Sequence, residues 1–347
     1  MTQITFDEVA QILPAISKFP RTALFTSATP LDQMPRVSDH FGQPIDIKRD
    51  DYFPLAMGGN KVRQLEFYLG QARVQGADTV LITGAVQSNF VRLCAAAARQ
   101  LGWRPVVQLE SRVPKNDHAY ETSGNVLLLK ILGAEIHNFS GGGDEAAADA
   151  NLDRIASKLK DEGANPYVIH LGIDHPPYGA LGYAAAAAET FLQAKAADTF
   201  PDCIVVPSGS GLTHAGFLVG ARAIGWDVPI YGICVRRDKE AQAARISNRA
   251  KEVAELLGCI KLKVSDVDVS DAVLAPGYGQ MNDEVRSAIS LVAQHDAILL
   301  DPVYSGRTFA GLISHLNSGK IAPLERVLFV HTGGTPAIFA YESELGS

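Results

Sequence analysis

The sequence predicts an α/β fold of two domains and three layers, with sheets in which most strands run parallel. Short apolar runs alternate with helical patterns along nearly the whole chain. Several strand candidates, such as residues 203–207 and 326–331, are apolar without alternation, which is typical of strands covered on both faces. Polar and glycine-rich segments directly follow these runs, where ligands bind in parallel sheets.

The elements are assigned from local patterns, with apolar spacing for helices and short apolar runs ending at turn residues for strands. Helices are expected at residues 62–74, 88–101, 125–132, 144–162 and 180–197. Strands are expected at residues 79–83, 105–109, 135–139, 166–170, 203–207, 230–235, 297–300 and 326–331.

Composition excludes several classes of protein. The formal net charge of −7 and the absence of a basic run argue against a nucleic-acid partner. No apolar run approaches the roughly 18 residues of a membrane span, and the N-terminus has no basic region before an apolar core, so we expect a cytoplasmic protein. The cysteines form no CxxC pair, which predicts buried free thiols and no metal site.

Lys61 is the most informative single residue. It follows the tripeptide Gly58-Gly59-Asn60 and opens the helix expected at residues 62–74. Glycines allow the backbone to approach a ligand closely, and the positive end of a helix dipole disfavours an ammonium group. Lys61 is therefore a candidate nucleophilic amine of the Schiff-base type. A solvated lysine at a helix start is the alternative.

A phosphate site is predicted between the strand at residues 203–207 and the next helix, because backbone N–H groups and hydroxyls can cradle a phosphate there. The turn consists of Ser208, Gly209, Ser210, Gly211, Leu212 and Thr213. His214 stands where a dinucleotide fingerprint has its third glycine, and no Walker A sequence occurs, so a monophosphate is favoured. A plain tight turn is the alternative.

Three polar residues, Gln87, Ser88 and Asn89, lie between the strand at residues 79–83 and the next helix. The N–H groups of a helix start favour an anion, so we interpret the segment as a carboxylate site. Ser88 or Asn89 can also cap the helix, and capping is compatible with binding.

Three further side chains are candidates for contact with a ligand. Thr332 follows the last strand and precedes two glycines, so its hydroxyl can bond a ligand ring. Tyr278 and Tyr304 lie beside glycines in loops, where a tyrosine stacks, donates its hydroxyl or only packs. We interpret His331 as a structural histidine, and Arg307 as a residue that opens a helix, with a solvated charge as one reading.

Six segments occur in one order along the chain: Gly58-Gly59-Asn60-Lys61, Gln87-Ser88-Asn89, Ser208-Gly209-Ser210, Pro276-Gly277-Tyr278-Gly279, Asp301-Pro302-Val303-Tyr304 and His331-Thr332-Gly333-Gly334. Together they resemble the D-cysteine desulfhydrase and 1-aminocyclopropane-1-carboxylate deaminase family of pyridoxal-phosphate enzymes. The resemblance implies the tryptophan-synthase-β-like fold, with pyridoxal 5'-phosphate between a large domain of residues 1–56 and 165–347 and a small domain of residues 57–164. A homodimer is the expected assembly, although no motif specifies it.

The resemblance also implies roles for the cofactor-binding residues. Lys61 would bind the cofactor covalently, with Asn60 beside it. The turn from Ser208 to Thr213 would hold the phosphate. Asn89 would lie near the cofactor O3′, and Thr332 near the pyridine nitrogen.

A second group of residues would act on a small amino-acid substrate. Ser88, with Gln87 and backbone N–H groups, would hold the substrate carboxylate, and Tyr278 and Tyr304 would flank the substrate. Asn89 and Phe90 would also line the substrate site. Lys61, Ser88, Tyr278 and Tyr304 are therefore the expected catalytic residues.

The implied reaction is α,β-elimination from a β-substituted amino acid to pyruvate and ammonia, with D-cysteine as the first expected substrate. Ser305 and Thr332 differ from the deaminase pattern, which argues against ring opening. Phe90 replaces a histidine of the desulfhydrases, and Leu212 replaces a glycine. Four alternatives therefore stay open: elimination of sulfite from cysteate, a deaminase, a racemase, and a cofactor-binding homologue without activity. His175 and Tyr178 either enter the site or lie in a surface loop.

Overall fold

Two sheets organise the computed structural model, which describes residues 4–258 and 262–346. The strands are β1 (Leu31–Gln33), β2 (Ile45–Arg49), β3 (Thr79–Ala85), β4 (Arg104–Glu110), β5 (Glu135–Phe139), β6 (Pro166–Ile169), β7 (Cys203–Ser208), β8 (Ile230–Cys234), β9 (Asp268–Ser270) and β10 (Val327–His331).

Helices connect and cover these strands. They are α1 (Phe6–Ile12), α2 (Pro35–Phe41), α3 (Lys61–Val74), α4 (Asn89–Gln100), α5 (His118–Thr122), α6 (Gly124–Ile131), α7 (Glu145–Asp161), α8 (Tyr178–Ala197), α9 (Leu212–Ala223), α10 (Lys239–Leu257), α11 (Asp283–Asp296), α12 (Ser305–Asn317) and α13 (Glu342–Leu345). Short 3-10 helices span Pro14–Lys18, Asp50–Tyr52, Leu55–Met57, Val264–Asp266 and Thr335–Tyr341.

The larger sheet has the strand order β1-β2-β10-β7-β8-β9, and the smaller sheet has the order β5-β4-β3-β6. Every pairing is parallel except that of β1 with β2. All residues of β3 and β7 are buried, as expected for parallel strands with helices on both faces. The predicted α/β class with parallel-rich sheets is confirmed.

Helix α8 brings the starts of α3 and α9 close together. A Cβ atom at Gly216 would lie 2.2 Å from the carbonyl oxygen of Ala180, and one at Gly182 would lie 2.1 Å from that of Arg63. Glycine at these two contacts lets α9 and α3 pack against α8 at backbone distance. Lys61 at the start of α3 and Thr213 at the start of α9 consequently face the same region.

Most predicted elements are confirmed, but the strand expected at residues 297–300 is wrong. These residues form no strand, Ala297 has a φ of 56°, and Leu299 is 54% exposed. The reason is that Ala297 is the left-handed C-cap of α11, and the apolar residues Ile298 and Leu300 after it pack into a core cluster without pairing in a sheet. Strands β1, β2 and β9 were not predicted.

The division into domains stays a prediction. Its boundary at residue 165 falls directly before β6, and β6 pairs with β3 in the smaller sheet. Of the cysteines, Cys94, Cys203 and Cys234 are buried free thiols, and Cys259 lies outside the described residues. None of the helices in the described ranges is long and apolar enough to span a membrane.

Candidate active site

A cleft lies at the carboxyl ends of strands from both sheets. It is lined by most of the residues singled out from the sequence, namely Asn60, Lys61, Ser88, Asn89, Phe90, Gly209, Ser210, Gly211, Thr213, Tyr278, Tyr304 and Thr332. Three predicted residues, Gln87, Ser208 and Leu212, do not line this cleft and lie behind it.

Lys61 is the first residue of α3, as expected, and its amino group lies 5.2 Å from the centre of the Phe90 ring. Burial lowers the pKa of Lys61 to about 8. The physical cause is loss of hydration of the buried ammonium. Near physiological pH a minority of this amine is consequently neutral and nucleophilic, far more than for an ordinary lysine.

The turn before Lys61 has an unusual backbone that is held by a buried arginine. Ala56 and Met57 have φ values of 40° and 67°, a region that costs energy for residues other than glycine. Arg92 donates to the carbonyl oxygens of Ala56 at 2.6 Å and Gly58 at 2.8 Å. The guanidinium therefore fixes the turn that presents Lys61. The sequence offered no signal for this role, because Arg92 lies on α4, far along the chain.

Asn60 connects three segments of the site. Its backbone N–H donates to the carbonyl oxygen of Thr332 at 3.0 Å, and its side-chain amide donates to the Thr213 hydroxyl at 2.9 Å. Gln64, one turn into α3, also donates to the Thr213 hydroxyl, at 3.0 Å. The lysine turn, the glycine-rich turn and the end of β10 are thus fixed relative to one another.

The start of α9 provides backbone donors for an anion. Its N-cap, Gly211, has a φ of 100°, and no side chain caps the helix. Because the first N–H groups of a helix have no partner within it, a buried and uncapped start favours an anionic ligand. Ser210 and Thr213 add hydroxyls at this turn. This donor set fits a phosphate monoester.

The remaining residues of the turn support it from behind. The Ser208 hydroxyl accepts a hydrogen bond from Gln242 at 2.9 Å and lies 3.1 Å from Nδ1 of His214. Gln242 also donates to the carbonyl oxygen of Gly209 at 3.1 Å. Leu212 is 2% exposed and packs in the core. Ser208 and Leu212 therefore support the turn from behind, and the neighbouring residues of the turn line the cleft.

In the Gln87-Ser88-Asn89 segment, Ser88 and Asn89 line the cleft and Gln87 does not. The Ser88 hydroxyl caps α4 by accepting from the N–H of Val91 at 3.3 Å, and Ser88 lines the cleft. Asn89 accepts from the side chain of Asn125 at 2.9 Å. Gln87 points away, donating to the carbonyl oxygen of Tyr120 at 2.6 Å and accepting from the N–H of Asn125 at 2.9 Å. Gln87 therefore reaches the site only through its hydrogen bonds.

Two tyrosines form a pair on one wall of the cleft. The hydroxyls of Tyr278 and Tyr304 are 2.9 Å apart, and the rings meet edge to face. Burial, followed by the neighbouring Tyr278, raises the pKa of Tyr304 well above its ordinary value. At neutral pH the Tyr304 phenol consequently keeps its proton and can donate it in a hydrogen bond.

Arg307 positions the Tyr278 loop, and its interpretation as a solvated charge is wrong. Arg307 is fully buried and donates to the carbonyl oxygens of Leu274 at 2.9 Å and Gly277 at 3.4 Å. It also bonds the carbonyl oxygens of Val273 and Gln280. The sequence could not indicate this, because the carbonyls come from a separate loop about thirty residues earlier in the chain.

Thr332 lies on the floor of the cleft at the end of β10. The neighbouring Gly333 has a φ of 77°, and a Cβ atom there would lie 2.6 Å from the Cα of Gly59. These glycines keep the floor free of side chains next to Lys61. His331 is buried, its Nδ1 accepts from the N–H of Gly333 at 3.2 Å, and burial lowers its pKa, in agreement with a structural role.

Several charged residues of the cleft were not singled out from the sequence. They are Glu110, Arg112, Glu145, Asp149, Arg236 and Arg245. Leu171 and Gly172 also line it, but His175 is not part of the lining: it stacks on His170 with ring centres 3.9 Å apart. Tyr178 begins α8 and packs against the core. The charged groups come from four different elements, so no local motif joins them.

Comparison with known proteins identifies the class to which this fold and cleft belong. A model of the family described as pyridoxal-phosphate dependent enzyme matches residues 23–333. The chain belongs to this family, and the family resemblance inferred from the motifs is confirmed. The donor set described above fits the family's cofactor, pyridoxal 5'-phosphate.

More similar relatives define the branch of the family. The chain is 40% identical over 330 residues to a D-cysteine desulfhydrase of Yersinia enterocolitica, covering 95% of this chain and 98% of that protein. It is 40% identical over 333 residues to a D-cysteine desulfhydrase of Klebsiella pneumoniae, covering 96% and 99%. A crystal structure of an ACC deaminase homologue matches with a TM-score of 0.85 and 36% identity over 96% of this chain and 98% of that one.

Proposed function

We propose that this enzyme removes the β substituent of a small amino acid by α,β-elimination, and that D-cysteine is a substrate. The observation that carries the proposal is that the Lys61 amine, with its pKa near 8, shares one cleft with an uncapped helix start and a tyrosine pair. The name of the D-cysteine desulfhydrase relatives, at 40% identity over nearly the full chain, supports the choice of substrate.

When bound, pyridoxal phosphate supplies an electron sink that stabilises negative charge on the substrate Cα. We assign its phosphate to the N–H groups at the start of α9 with Ser210 and Thr213, its pyridine nitrogen to Thr332, and its ring oxygen to Asn89. Lys61 would be the covalent attachment point. The Thr332 hydroxyl is neutral and so does not force a proton onto the ring, which favours prompt elimination over a long-lived carbanion.

The chain's own residues then have separate tasks. Ser88 and the start of α4 would hold the substrate carboxylate. The neutral Lys61 amine would take the Cα proton, and burial favours this because it disfavours the ammonium of the resting state. The Tyr278–Tyr304 pair would donate a hydrogen bond to the departing β substituent. For D-cysteine the balance is D-cysteine plus water giving pyruvate, ammonia and hydrogen sulfide, with no oxidant required.

Ring opening of a cyclopropane substrate has less support. Ser305 occupies the position at which the deaminases carry glutamate, and its hydroxyl donates to Asp301 at 2.7 Å. Ser305 is fully buried and does not line the cleft. It therefore offers no acid or base to a ring carbon.

The proposed function is tested with the purified protein, saturated with pyridoxal phosphate and given D-cysteine or L-cysteine at equal concentration. We expect pyruvate and sulfide in equal amounts from D-cysteine, and L-cysteine serves as the matched control for stereochemical preference. Loss of optical activity without pyruvate would instead indicate a racemase. Absence of pyruvate from both enantiomers and from other β-substituted amino acids would contradict the proposal.

We also propose the cytoplasm as the compartment and a homodimer as the assembly. The free thiols of Cys94, Cys203 and Cys234 suit a reducing compartment. Exposed apolar side chains on α6 and the adjoining 3-10 helix, Leu127, Ile131 and Phe339, suit contact with a second copy. Sedimentation equilibrium of the native protein and of Ile131→Lys tests the dimer, which the substitution should weaken.

A further inference from the structure

A group of four arginines, here the arginine cluster, lies at one end of the cleft. It consists of Arg112, Arg236, Arg237 and Arg245. Arg236 and Arg237 follow the end of β8, Arg245 lies on α10, and Arg112 follows the end of β4. Three of the four, all except Arg237, line the same cleft as Lys61.

The acidic partners of this cluster are too few to neutralise it. Glu145 accepts hydrogen bonds from Arg236 at 2.6 Å, from Arg237 at 2.7 Å and from Arg245 at 3.3 Å. Arg112 has its own partner, Glu110, in a two-point pair at 2.7 and 2.6 Å. The other carboxylate lining the cleft is Asp149. Four guanidiniums and three carboxylates leave a positive surplus before Lys61 is counted.

The pKa values of Arg237 and Arg245 agree with this imbalance, whereas the hydrogen bonds to Glu110 raise the pKa of Arg112 against the effect of burial. Burial, and next the charge of Arg245, lowers the pKa of Arg237 to about 10. Burial lowers the pKa of Arg245, with Glu145 opposing the shift and Arg249 adding to it. Guanidiniums that share one carboxylate in a partly buried cleft repel one another, so an added anion would be stabilised there.

Two members of the cluster keep donors that no described residue accepts. Arg245 donates hydrogen bonds to Glu145 and to the carbonyl oxygens of Ser210 and Leu171. Within the described ranges, Arg236 by contrast donates a hydrogen bond only from Nη1. Arg112 donates there only from Nε and Nη2. Both side chains line the cleft and are only partly exposed, at 19% and 12%. Their free N–H groups are therefore available to a bound ligand.

We infer that Arg236 and Arg112 bind a second anionic group, carried on the β carbon of the substrate. The preferred substrate class is thus an amino acid with a β-sulfonate or a similar β-oxyanion, in addition to its α-carboxylate. A guanidinium presents parallel donors that match a planar or tetrahedral oxyanion. This inference rests on the proposed β-elimination and names its substrate class.

The cofactor phosphate does not account for the cluster. Arg237 and Arg245 contact the glycine-rich turn through the carbonyl oxygens of Gly209 and Ser210, at 3.2 and 2.8 Å. A phosphate binds the N–H side of that turn, which is the start of α9. Arg112 and Arg236 instead line the cleft together with Tyr278 and Tyr304, the tyrosine pair assigned to the substrate.

The reaction balances for a sulfonate without an oxidant. Cysteate plus water gives pyruvate, ammonia and sulfite. The Cα proton goes to Lys61, the C–S bond breaks, and its electron pair leaves with the sulfite sulfur. Arg236 and Arg112 would stabilise the charge on that leaving group, which becomes more negative as the bond breaks.

The test compares cysteate with cysteine, both enantiomers of each, on the protein saturated with pyridoxal phosphate. We expect kcat/KM for one enantiomer of cysteate to exceed that for D-cysteine by about tenfold or more, as expected for a two-point charged contact. Two ligands without a leaving group serve as a matched pair: aspartate, which carries the second anion, should inhibit turnover and raise Tm more than alanine does.

Arg236→Gln is the informative variant and Arg237→Gln its matched control, since both lose one bond to Glu145 but only Arg236 lines the cleft. We expect Arg236→Gln to raise KM for cysteate about tenfold or more while changing that for D-cysteine little. Arg237→Gln should affect both substrates alike. A fall in pyridoxal phosphate affinity with equal loss on both substrates would place Arg236 at the cofactor and overturn the inference.

The two hypotheses fail in different ways. Turnover of D-cysteine with no turnover of cysteate would overturn the second-anion site and leave the elimination standing. Turnover of D-cysteine that aspartate does not inhibit would do the same. Pyruvate from none of these amino acids would overturn the elimination itself, and the inference with it.

Discussion

The side-chain amide of Asn60 donates a hydrogen bond to the hydroxyl of Thr213, with 2.9 Å between Nδ2 and Oγ1. Both residues are about 95% buried, and they lie 153 residues apart in the chain. The bond joins the residue before the candidate covalent lysine to the first turn of the candidate phosphate helix. In the proposed account, the two ends of the cofactor are thereby held at a fixed separation.

Removal of this link should weaken cofactor binding. In Asn60→Ala, Thr213 loses one of its two donors, and the lysine turn loses its contact with α9. We expect the Kd for pyridoxal phosphate to rise about tenfold, as for one buried hydrogen bond. Equilibrium titration of the apo-protein measures it. Asn138→Ala, at an exposed position of β5, is the control, and equal affinities of the two variants would contradict this role.

Replacement of Arg92 should affect both stability and the lysine turn. Arg92→Met removes two charge-assisted hydrogen bonds to the turn at Ala56 and Gly58, whose backbone is otherwise strained. We expect a loss of roughly 2–3 kcal/mol in the free energy of unfolding. Denaturant unfolding measures the loss, and Arg154→Met on the exposed face of α7 is the comparison. If the two variants were equally stable, Arg92 would not hold the turn.

The capture of pyridoxal phosphate by the apo-protein should depend on pH. Burial lowers the pKa of Lys61 to about 8, and only the neutral amine attacks a carbonyl. The rate should therefore rise as the pH increases through 8 and level off above it, once correction is made for ionisation of the cofactor. Stopped-flow absorbance from pH 6 to 10 measures the profile. A midpoint near the ordinary lysine value would mean that burial does not control this amine.

Phe90 should influence the choice of substrate. Its ring is 6% exposed and lies 5.2 Å from the Lys61 amine, where it adds no hydrogen-bonding group to the cleft. Phe90→His restores the residue that desulfhydrases carry at this position and should raise kcat/KM for D-cysteine several-fold. Phe90→Leu, which stays apolar, should not raise it. Identical changes in the two variants would show that polarity at this position is irrelevant.

The sequence predicted the parts of the site that are local in the chain. The glycines around Lys61, the turn at Ser208–Thr213 and the segment at Ser88 each carry a local signal, because turns and helix starts are specified by adjacent residues. Lys61, Ser88, Asn89 and Thr332 consequently line one cleft as expected. Their roles in binding and catalysis stay predictions.

What the sequence could not predict depends on contacts between distant segments. Arg307 forms four bonds to carbonyl oxygens of a separate loop, and nothing near it in the chain distinguishes it from an exposed arginine. The expected strand at residues 297–300 failed for the related reason that its apolar residues Ile298 and Leu300 pack against distant segments of a core cluster and do not pair in a sheet. Gln87 shows the same limit, because its hydrogen-bond partners on α5 and α6 turn it away from the cleft.

The most direct test of the central claim is where the cofactor becomes attached. The holoprotein is reduced with borohydride, digested, and analysed by mass spectrometry, alongside Lys61→Ala and the control Lys115→Ala, whose lysine lies outside the cleft lining. We predict that the reduced cofactor is found on the peptide containing Lys61 in the wild type and in Lys115→Ala, and on no peptide in Lys61→Ala. Cofactor fixed to another lysine, or still fixed in Lys61→Ala, would contradict the account.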